Sequence, residues 1–298
     1  MNAILTAATG QEFCRDRKLQ IFFKSLKQTG YKDKIIVFTH SMDQDIQDLL
    51  TQGYGVELVE IDLTQISQGD YRTIWRDRHL LYHQYLLNKN YEKVLITDSK
   101  DVYFQTNPFN NTPKKSFIWL GAEGNIQINS PWNTEDQEKA QHDLIPAYQR
   151  DLAQQPILNA GFFMGSRREI QNLCLTIWSQ TLRSQQKYTD QAVLNYLYYF
   201  LKNDPIYKVH TPQESKWIIT GHGIELGWTA DQCEWRDNLL YHKTLNQPFA
   251  AFHQWDRTPH QREIMIKMGF YVGKTPEPNF PRVCPKSFET VSLKFRKI

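Results

Sequence analysis

"KVLITDSKDVYFQTNPF", residues 93 to 109, sets a pair of acids at the end of an apolar run. Lys93 to Thr97 carries the Val, Leu and Ile that a sheet interior accepts. Asp98 and Asp101 follow, separated by Ser99 and Lys100, and the chain returns at once to Val102, Tyr103 and Phe104. Two readings are open: the acids hold a cation, or Asp98 is a turn residue and Asp101 caps a short helix running through "VYFQTNPF".

The residues before this junction alternate between periods of two and of about 3.6. "AILTAAT" (3 to 9), "KIIVFTH" (34 to 40) and "VELVEID" (56 to 62) read as strands. "RKLQIFFKSLKQTG" (17 to 30), "DQDIQDLLTQG" (43 to 53) and a segment from about Thr73 to Asn88 read as helices. The pattern βαβαβαβ predicts a mainly parallel sheet flanked by helices. Such sheets bind ligands at the carboxyl ends of their strands, where Asp98 and Asp101 stand. "TAATGQEF" lacks G-x-G-x-x-G, and no G-x-x-x-x-G-K-[ST] occurs, so phosphates require another holder. Carboxylates with Mg²⁺ or Mn²⁺ are the natural substitute.

Beyond residue 110 the pattern loosens. "FIWLG" (117 to 121) predicts a strand, residues 133 to 155 a Gln-rich helix broken at Pro146, and "ILNAGFFMGS" (157 to 166) a strand in which Gly161 and Gly165 permit close approach. Helices are expected over 168 to 185 and 189 to 203, followed by an irregular, aromatic, His-containing tail from Pro205. Nothing reads as a repeat or linker.

With 298 residues, 40% of them hydrophobic, the chain can bury one large core. Its 35 Lys+Arg against 32 Asp+Glu leave +3, too little to argue for nucleic acid. There is no basic leader with an apolar region after it and no spanning-length apolar run, so a cytoplasmic protein is expected. Cysteines 14, 174, 233 and 284 form no C-x-x-C pair and read as free thiols, and the "NNT" sequon at Asn110 carries little weight in that compartment. The basic, aromatic "KSFETVSLKFRKI" (286 to 298) reads as a last packed element or, alternatively, as a peripheral contact with the inner face of a membrane.

"TDSKD" (97 to 101), "NAGFFMGS" (159 to 166), "TDQAVLNYL" (189 to 197) and "FHQWDR" (252 to 257) occur in the order that marks the GT-A nucleotide-sugar glycosyltransferases. The chain resembles the retaining, glycogenin-like and galactosyltransferase-like family among them. The resemblance implies a GT-A domain over 1–258 with a C-terminal extension, 259–298, packed on the acceptor side. It also implies a metal-dependent enzyme that moves a sugar from a nucleoside diphosphate, UDP foremost, to a glycan or lipid-linked acceptor.

Residue by residue, Asp98 and Asp101 match the acidic pair and His253 the late histidine, a metal set for which imidazole favours Mn²⁺ over Mg²⁺. The family writes Asp-x-Asp, whereas here Lys100 stands where the second acid usually sits, so a tight turn must return Asp101 to the site or Asp98 binds metal alone. Thr6, Ala7 and Ala8 match the nucleobase end of strand one. Arg78 matches a basic position reaching the donor, with Arg76 as its rival, and Arg257 replaces a lysine as a diphosphate clamp. Asn159, Asp190 and Gln191 match the reaction face, Gln191 beneath the anomeric carbon and Asp190 on sugar hydroxyls. "TDQA" also reads simply as a helix start, with Thr189 as its cap.

His222 and Glu225 are expected at the acceptor pocket. An inverting enzyme would instead draw its base from Glu225, Asp231 or Asp256. Trp228, Trp235 and Trp255 suit sugar stacking or a core. A sugar-nucleotide-binding protein, a nucleotidyltransferase and a pure interaction protein are the competing classes.

Overall fold

The computed structural model describes residues 1–10, 14, 17–66, 74–126, 155–183, 190–201, 204–225, 227, 229–237 and 239–257. The expected helix over 133 to 155, apart from residue 155 itself, the cap at Thr189, Trp228, Cys284 and everything from residue 258, including the proposed domain boundary and extension, lie outside them.

The first half follows the expected alternation: β1 Ala3–Thr9, α1 Arg17–Gln28, β2 Lys34–His40, α2 Gln44–Asp48, β3 Glu57–Glu60, α3 Ile74–Leu86 and β4 Lys93–Thr97. In α1, Leu19, Phe22, Phe23 and Leu26 are buried while Lys24 and Lys27 face solvent, and Gly30 closes the end at φ +77. α2 continues as a wider π-helical turn over Leu49–Gly53 that buries Leu50. There follow β5 Val102–Phe104, β6 Ile118–Ile126, β7 Pro156–Ser166, α4 Arg167–Arg183, α5 Asp190–Leu201, β8 Tyr207–His210, β9 Ile218–Thr220, α6 Gly221–Glu225, β10 Cys233–Arg236, β11 Leu239–His242, β12 Gln247–Pro248 and β13 Ala251–His253.

The main sheet runs β3-β2-β1-β4-β7-β6-β8. β1 pairs in parallel with both β2 and β4, and β7 enters antiparallel between β4 and β6. The chain steps outward from β1 to β3 and returns to β4 on β1's other side. The crevice therefore opens between the carboxyl ends of β1 and β4.

Two apolar layers sandwich this sheet. Phe38, Tyr82 and Phe163 fill one, while Phe22, Phe23, Phe104 and Phe162 fill the other, all at most 1% exposed. Each such side chain contributes roughly 1.5–3 kcal/mol of transfer free energy.

The tail from Pro205, expected to be irregular, is built of short strands. β10-β11-β12 form one small sheet and β5-β13-β9 another. The second of these corrects the helix-cap reading of Asp101, because Val102–Phe104 is a strand whose partner lies about 150 residues away in Ala251–His253.

Cys14, Cys174 and Cys233 are free and buried. No helix among the described residues is long and apolar enough to cross a membrane.

Candidate active site

The Asp98–Asp101 turn is fastened at three points. Asp98 N donates to Gly161 O at 2.8 Å, the buried Ser99 donates its hydroxyl to Ala7 O at 2.8 Å, and Trp255 N reaches Asp101 O at 3.4 Å. β5 starts directly after Asp101, and its ladder with β13 sets Val102 opposite His253. The extra residue of the Asp-x-x-Asp spacing is absorbed in the turn. Asp98, Asp101 and His253 each offer a ligand atom, all within 4.8 Å of one another.

Gly161 makes that convergence possible. A Cβ there would stand 2.3 Å from Asp98 Oδ2 and 2.6 Å from His253 Cε1.

His253 Nε2 lies 3.4 Å from Asp98 Oδ2 and 3.4 Å from Asp101 Oδ1, and it is buried without an aligned hydrogen bond. Burial alone would push this imidazole down, but the carboxylates of Asp101 and Asp98 lift it to about 10. Without an ion the imidazolium supplies positive charge that the two acids demand; on giving up that proton, His253 Nε2 completes an oxygen–oxygen–nitrogen donor set that fits a divalent cation of the Mn²⁺ or Mg²⁺ type. Asp98 is meanwhile held well below the usual carboxylate range, because Arg78 and His253 outweigh its desolvation.

Arg78, on α3, ties the two sides of the cleft together. Its Nη1 donates to Asp98 Oδ1 at 2.6 Å and its Nη2 to Asp190 Oδ2 at 2.7 Å. Its rival Arg76 instead reaches its neighbour Asp77 at 3.3 Å. Asp190 Oδ2 also meets His79 Nε2 at 2.9 Å. Burial drives His79 toward the neutral form and would raise Asp190, but Arg78 and His79 hold that carboxylate below its ordinary value.

Asn159, expected at the reaction face, is set beside the cleft by a bulge, while Asp190 and Gln191 come from the start of α5. Along β6 and β7 the register jumps from Leu120↔Phe163 to Ala122↔Leu158, leaving Asn159–Gly161 out of the regular ladder and beside the cleft. Asn159 Nδ2 donates to Glu123 Oε1 at 2.8 Å and Gln191 Nε2 to the same oxygen at 3.4 Å, while Gln191 Oε1 accepts from Ala160 N at 3.3 Å. Asn195, one turn after Gln191, exchanges hydrogen bonds with both backbone groups of Leu158 at 2.8 Å and pins α5 to the bulge.

These groups line a cleft in two parts. The inner part, about 240 Å³, is lined by Asn159, Gly161, Asp190, Gln191 and His253. The outer part, about 520 Å³, is lined by Ala7, Thr9, Lys18, Lys100, Asp101 and Arg257 among others. Trp75, Arg78 and Asp98 border both.

Of the expected nucleobase residues, Ala7 reaches the outer part together with Thr9, while Thr6 and Ala8 are fully buried, as strand alternation requires. Trp255 is fully buried, which makes it core rather than a stacking platform. Asp256 is paired with Lys18 at 2.5 Å, and Asp231 is exposed. His222 and Glu225 fall on α6, which Gly223 lets press against the backbone of Glu123.

Glu123, His79, Trp75 and Lys18 escaped the sequence reading. Glu123 had a detectable signal, a single acid inside the apolar strand "FIWLGAEGN". The other three sit on helices, where nothing local distinguishes them from surface residues.

No family model and no curated protein matches this chain. Among solved structures, galactosyltransferase LgtC in complex with donor and acceptor sugar analogs is similar at 16% identity, covering 92% of this chain and 98% of that one with a TM-score of 0.55. An active-site glutamine-to-glutamate mutant of LgtC is similar at 14% identity over the same shares, with a TM-score of 0.57. At such identities the likeness establishes the fold, and the fold is the GT-A arrangement expected from the sequence.

Proposed function

We propose that the protein is a metal-dependent glycosyltransferase that moves a sugar from a nucleoside diphosphate, UDP foremost, to a glycan or lipid-linked saccharide, with retention of anomeric configuration. The observation that carries this reading is the convergence of Asp98, Asp101 and His253 at the crevice of a GT-A sheet, directly beside Arg78, Asp190 and Gln191. A cytoplasmic setting, with peripheral membrane contact toward a lipid-linked acceptor, belongs to the same proposal.

Asp98, Asp101 and His253 would hold Mn²⁺ or Mg²⁺, which when bound neutralises charge on the departing diphosphate. Ala7 and the end of β1 would receive the base. Arg257 would reach the diphosphate with its planar fork. Arg78, already fixed between Asp98 and Asp190, would hold the donor's sugar against the reaction face.

Glu123 orients the Asn159 and Gln191 amides, so both enter the inner part of the cleft with little freedom left to lose. The Gln191 carbonyl would sit beneath the anomeric carbon and stabilise its developing positive charge without a lasting bond. Of the LgtC structures, one holds donor and acceptor sugar analogs and the other alters an active-site glutamine. Both features are consistent with the roles given to the cleft and to Gln191.

Calorimetry with UDP, with and without Mn²⁺, tests the reading on wild type and Asp101→Ala. The expected outcome is Mn²⁺-dependent binding that the substitution weakens at least tenfold. Binding that ignores both metal and substitution sinks the proposal. Hydrolysis of a donor panel then identifies the nucleotide, and the anomeric proton coupling of the product decides retention.

A further inference from the structure

A second cavity, of about 280 Å³, shares no lining residue with either part of the cleft. It is lined by Trp119, His210 and Trp217, by the turn that follows β5 and by the residues that lead into β13. The ladder that holds Asp101 and His253 at one end reaches this cavity at the other, where Ala250 O accepts from Gln105 N at 2.9 Å. Ala250 precedes His253 by three residues, about 10 Å of strand.

The aromatic side chains form one cluster. The Trp119 ring lies 4.3 Å from that of His210 and 5.5 Å from that of Trp217, between centroids. Ser215 Oγ accepts from Trp217 N at 3.2 Å and meets His210 Nδ1 at 2.7 Å. The hydroxyl has one hydrogen, which serves Nδ1 and so assigns the imidazole proton to Nε2. His210 and Trp217 are each 5% exposed, and His210 Nε2 and Trp217 Nε1 are buried with no hydrogen-bond partner among the described residues. Two unmet donors in one cluster are rare in a folded protein unless something else meets them.

The rest of the lining narrows what that is. No carboxylate among the described residues lines the cavity, which disfavours a cation, and the single ammonium of Lys216 is too little for a polyanion. Asn107, Asn110 and Asn111 each bring an amide that both donates and accepts, as hydroxyl groups do. Apolar ring surface bounded by such amides matches a sugar ring, with its C–H faces and hydroxyl edge. The volume suits one ring rather than a larger ligand.

We propose that this cavity is a second saccharide-binding site, taking one sugar ring whose oxygens accept from His210 Nε2 and Trp217 Nε1. The binding is independent of the sugar-nucleotide reading above. Only its use rests on that reading: a glycan acceptor anchored here would keep its other end at high effective concentration near the cleft.

The test is nuclear magnetic resonance on the full chain with isotope-labelled tryptophan, in chelator, titrated with the methyl glycosides of galactose, glucose and N-acetylglucosamine and separately with inorganic phosphate. Trp217→Phe keeps a ring, removes the donor and identifies its indole signal. Thr106→Phe fills the cavity from a half-buried lining residue, and Asp101→Ala is the control at the cleft. At least one glycoside is expected to shift the Trp217 indole signal with a millimolar dissociation constant, ordinary for so small a ligand. Trp217→Phe and Thr106→Phe should each weaken it by about fivefold or more, the worth of a hydrogen bond or of lost space. Asp101→Ala should change it by less than about twofold, and UDP in Mn²⁺ without chelator should not displace it.

No shift from any glycoside at about 100 mM overturns the assignment. So do shifts abolished by Asp101→Ala or by UDP, which belong to the cleft, phosphate binding in place of sugar, and an affinity unchanged in the variants. Should Trp217→Phe not fold, Thr106→Phe decides. Glycoside binding here in a chain that binds no UDP leaves this site standing and removes the sugar-nucleotide reading, and UDP binding without glycoside binding does the reverse.

Discussion

Changing Gly161 to Ala tests whether the cation corner is as tightly built as its geometry implies. The added methyl would lie 2.3 Å from Asp98 Oδ2, 2.9 Å from Asp98 Cγ and 2.6 Å from His253 Cε1, against a practical limit of 3.0 Å. Restoring that limit moves the carboxylate oxygen by about 0.7 Å, well beyond the ±0.2 Å or so within which metal–ligand distances hold. We expect Mn²⁺ affinity to fall at least tenfold and stability to fall by about 1–3 kcal/mol, the usual cost of overpacking.

Gly165→Ala is the matched control. Its methyl would meet Phe117 O at 2.4 Å and Ile170 Cδ1 at 3.1 Å, with no metal-site side chain among its nearest neighbours. It should lose comparable stability and keep its Mn²⁺ affinity. Electron paramagnetic resonance titrations give the affinities. Thermal melts in chelator give the stabilities free of linkage to bound ion, with each kcal/mol lowering Tm by about 2–4 °C. Wild-type Mn²⁺ affinity in Gly161→Ala, or an equal loss in both variants, would refute the reasoning.

Two further outcomes concern charge burial. His210 packs 4.3 Å from Trp119 and meets Ser215 Oγ at 2.7 Å, and burial, aided by Lys208, pushes it down to about 3. The unfolded chain takes up that proton near pH 6.5, so the native state loses about 1.4 kcal/mol per unit as pH falls from there toward 3. His210→Gln should flatten the slope of urea-derived stability between about pH 6 and 5 by that amount, and an unchanged slope counts against it. Arg78→Met strands Asp98 and Asp190 without their shared cation and should cost about 3–5 kcal/mol in chemical denaturation. A loss below about 1 kcal/mol would mean the bridge does not hold the cleft.

Local pattern carried the reading of β1 to β4 because each segment's apolar period matches the layer it faces, as Leu19, Phe22, Phe23 and Leu26 do on α1. Asp98 and Asp101 stood out as acids at the end of an apolar strand, whereas Asn159, Asp190, Gln191 and His253 were picked out by the resemblance of their motifs to the GT-A glycosyltransferases. What failed was whatever depends on distant partners. Val102–Phe104 is too short to declare itself a strand until Ala251–His253 pairs with it. The widened turn at Leu49–Gly53 follows from seating Leu50, which no local propensity encodes. Glu123 and His79 act through Gln191, Asn159 and Asp190, so their meaning exists only after β6, α3 and α5 have met.

The β5–β13 ladder has a consequence for how the protein comes into being. One part of the candidate cation site is synthesised near the hundredth residue and the other after the two hundred and fiftieth. A nascent chain emptied of its last fifty residues therefore carries two acids with no nitrogen to close around a cation. On the proposed metal-dependent reading, capture of the ion becomes a late event in synthesis, and a manganese-sensitive probe on stalled ribosomes would mark the point at which His253 joins the two acids.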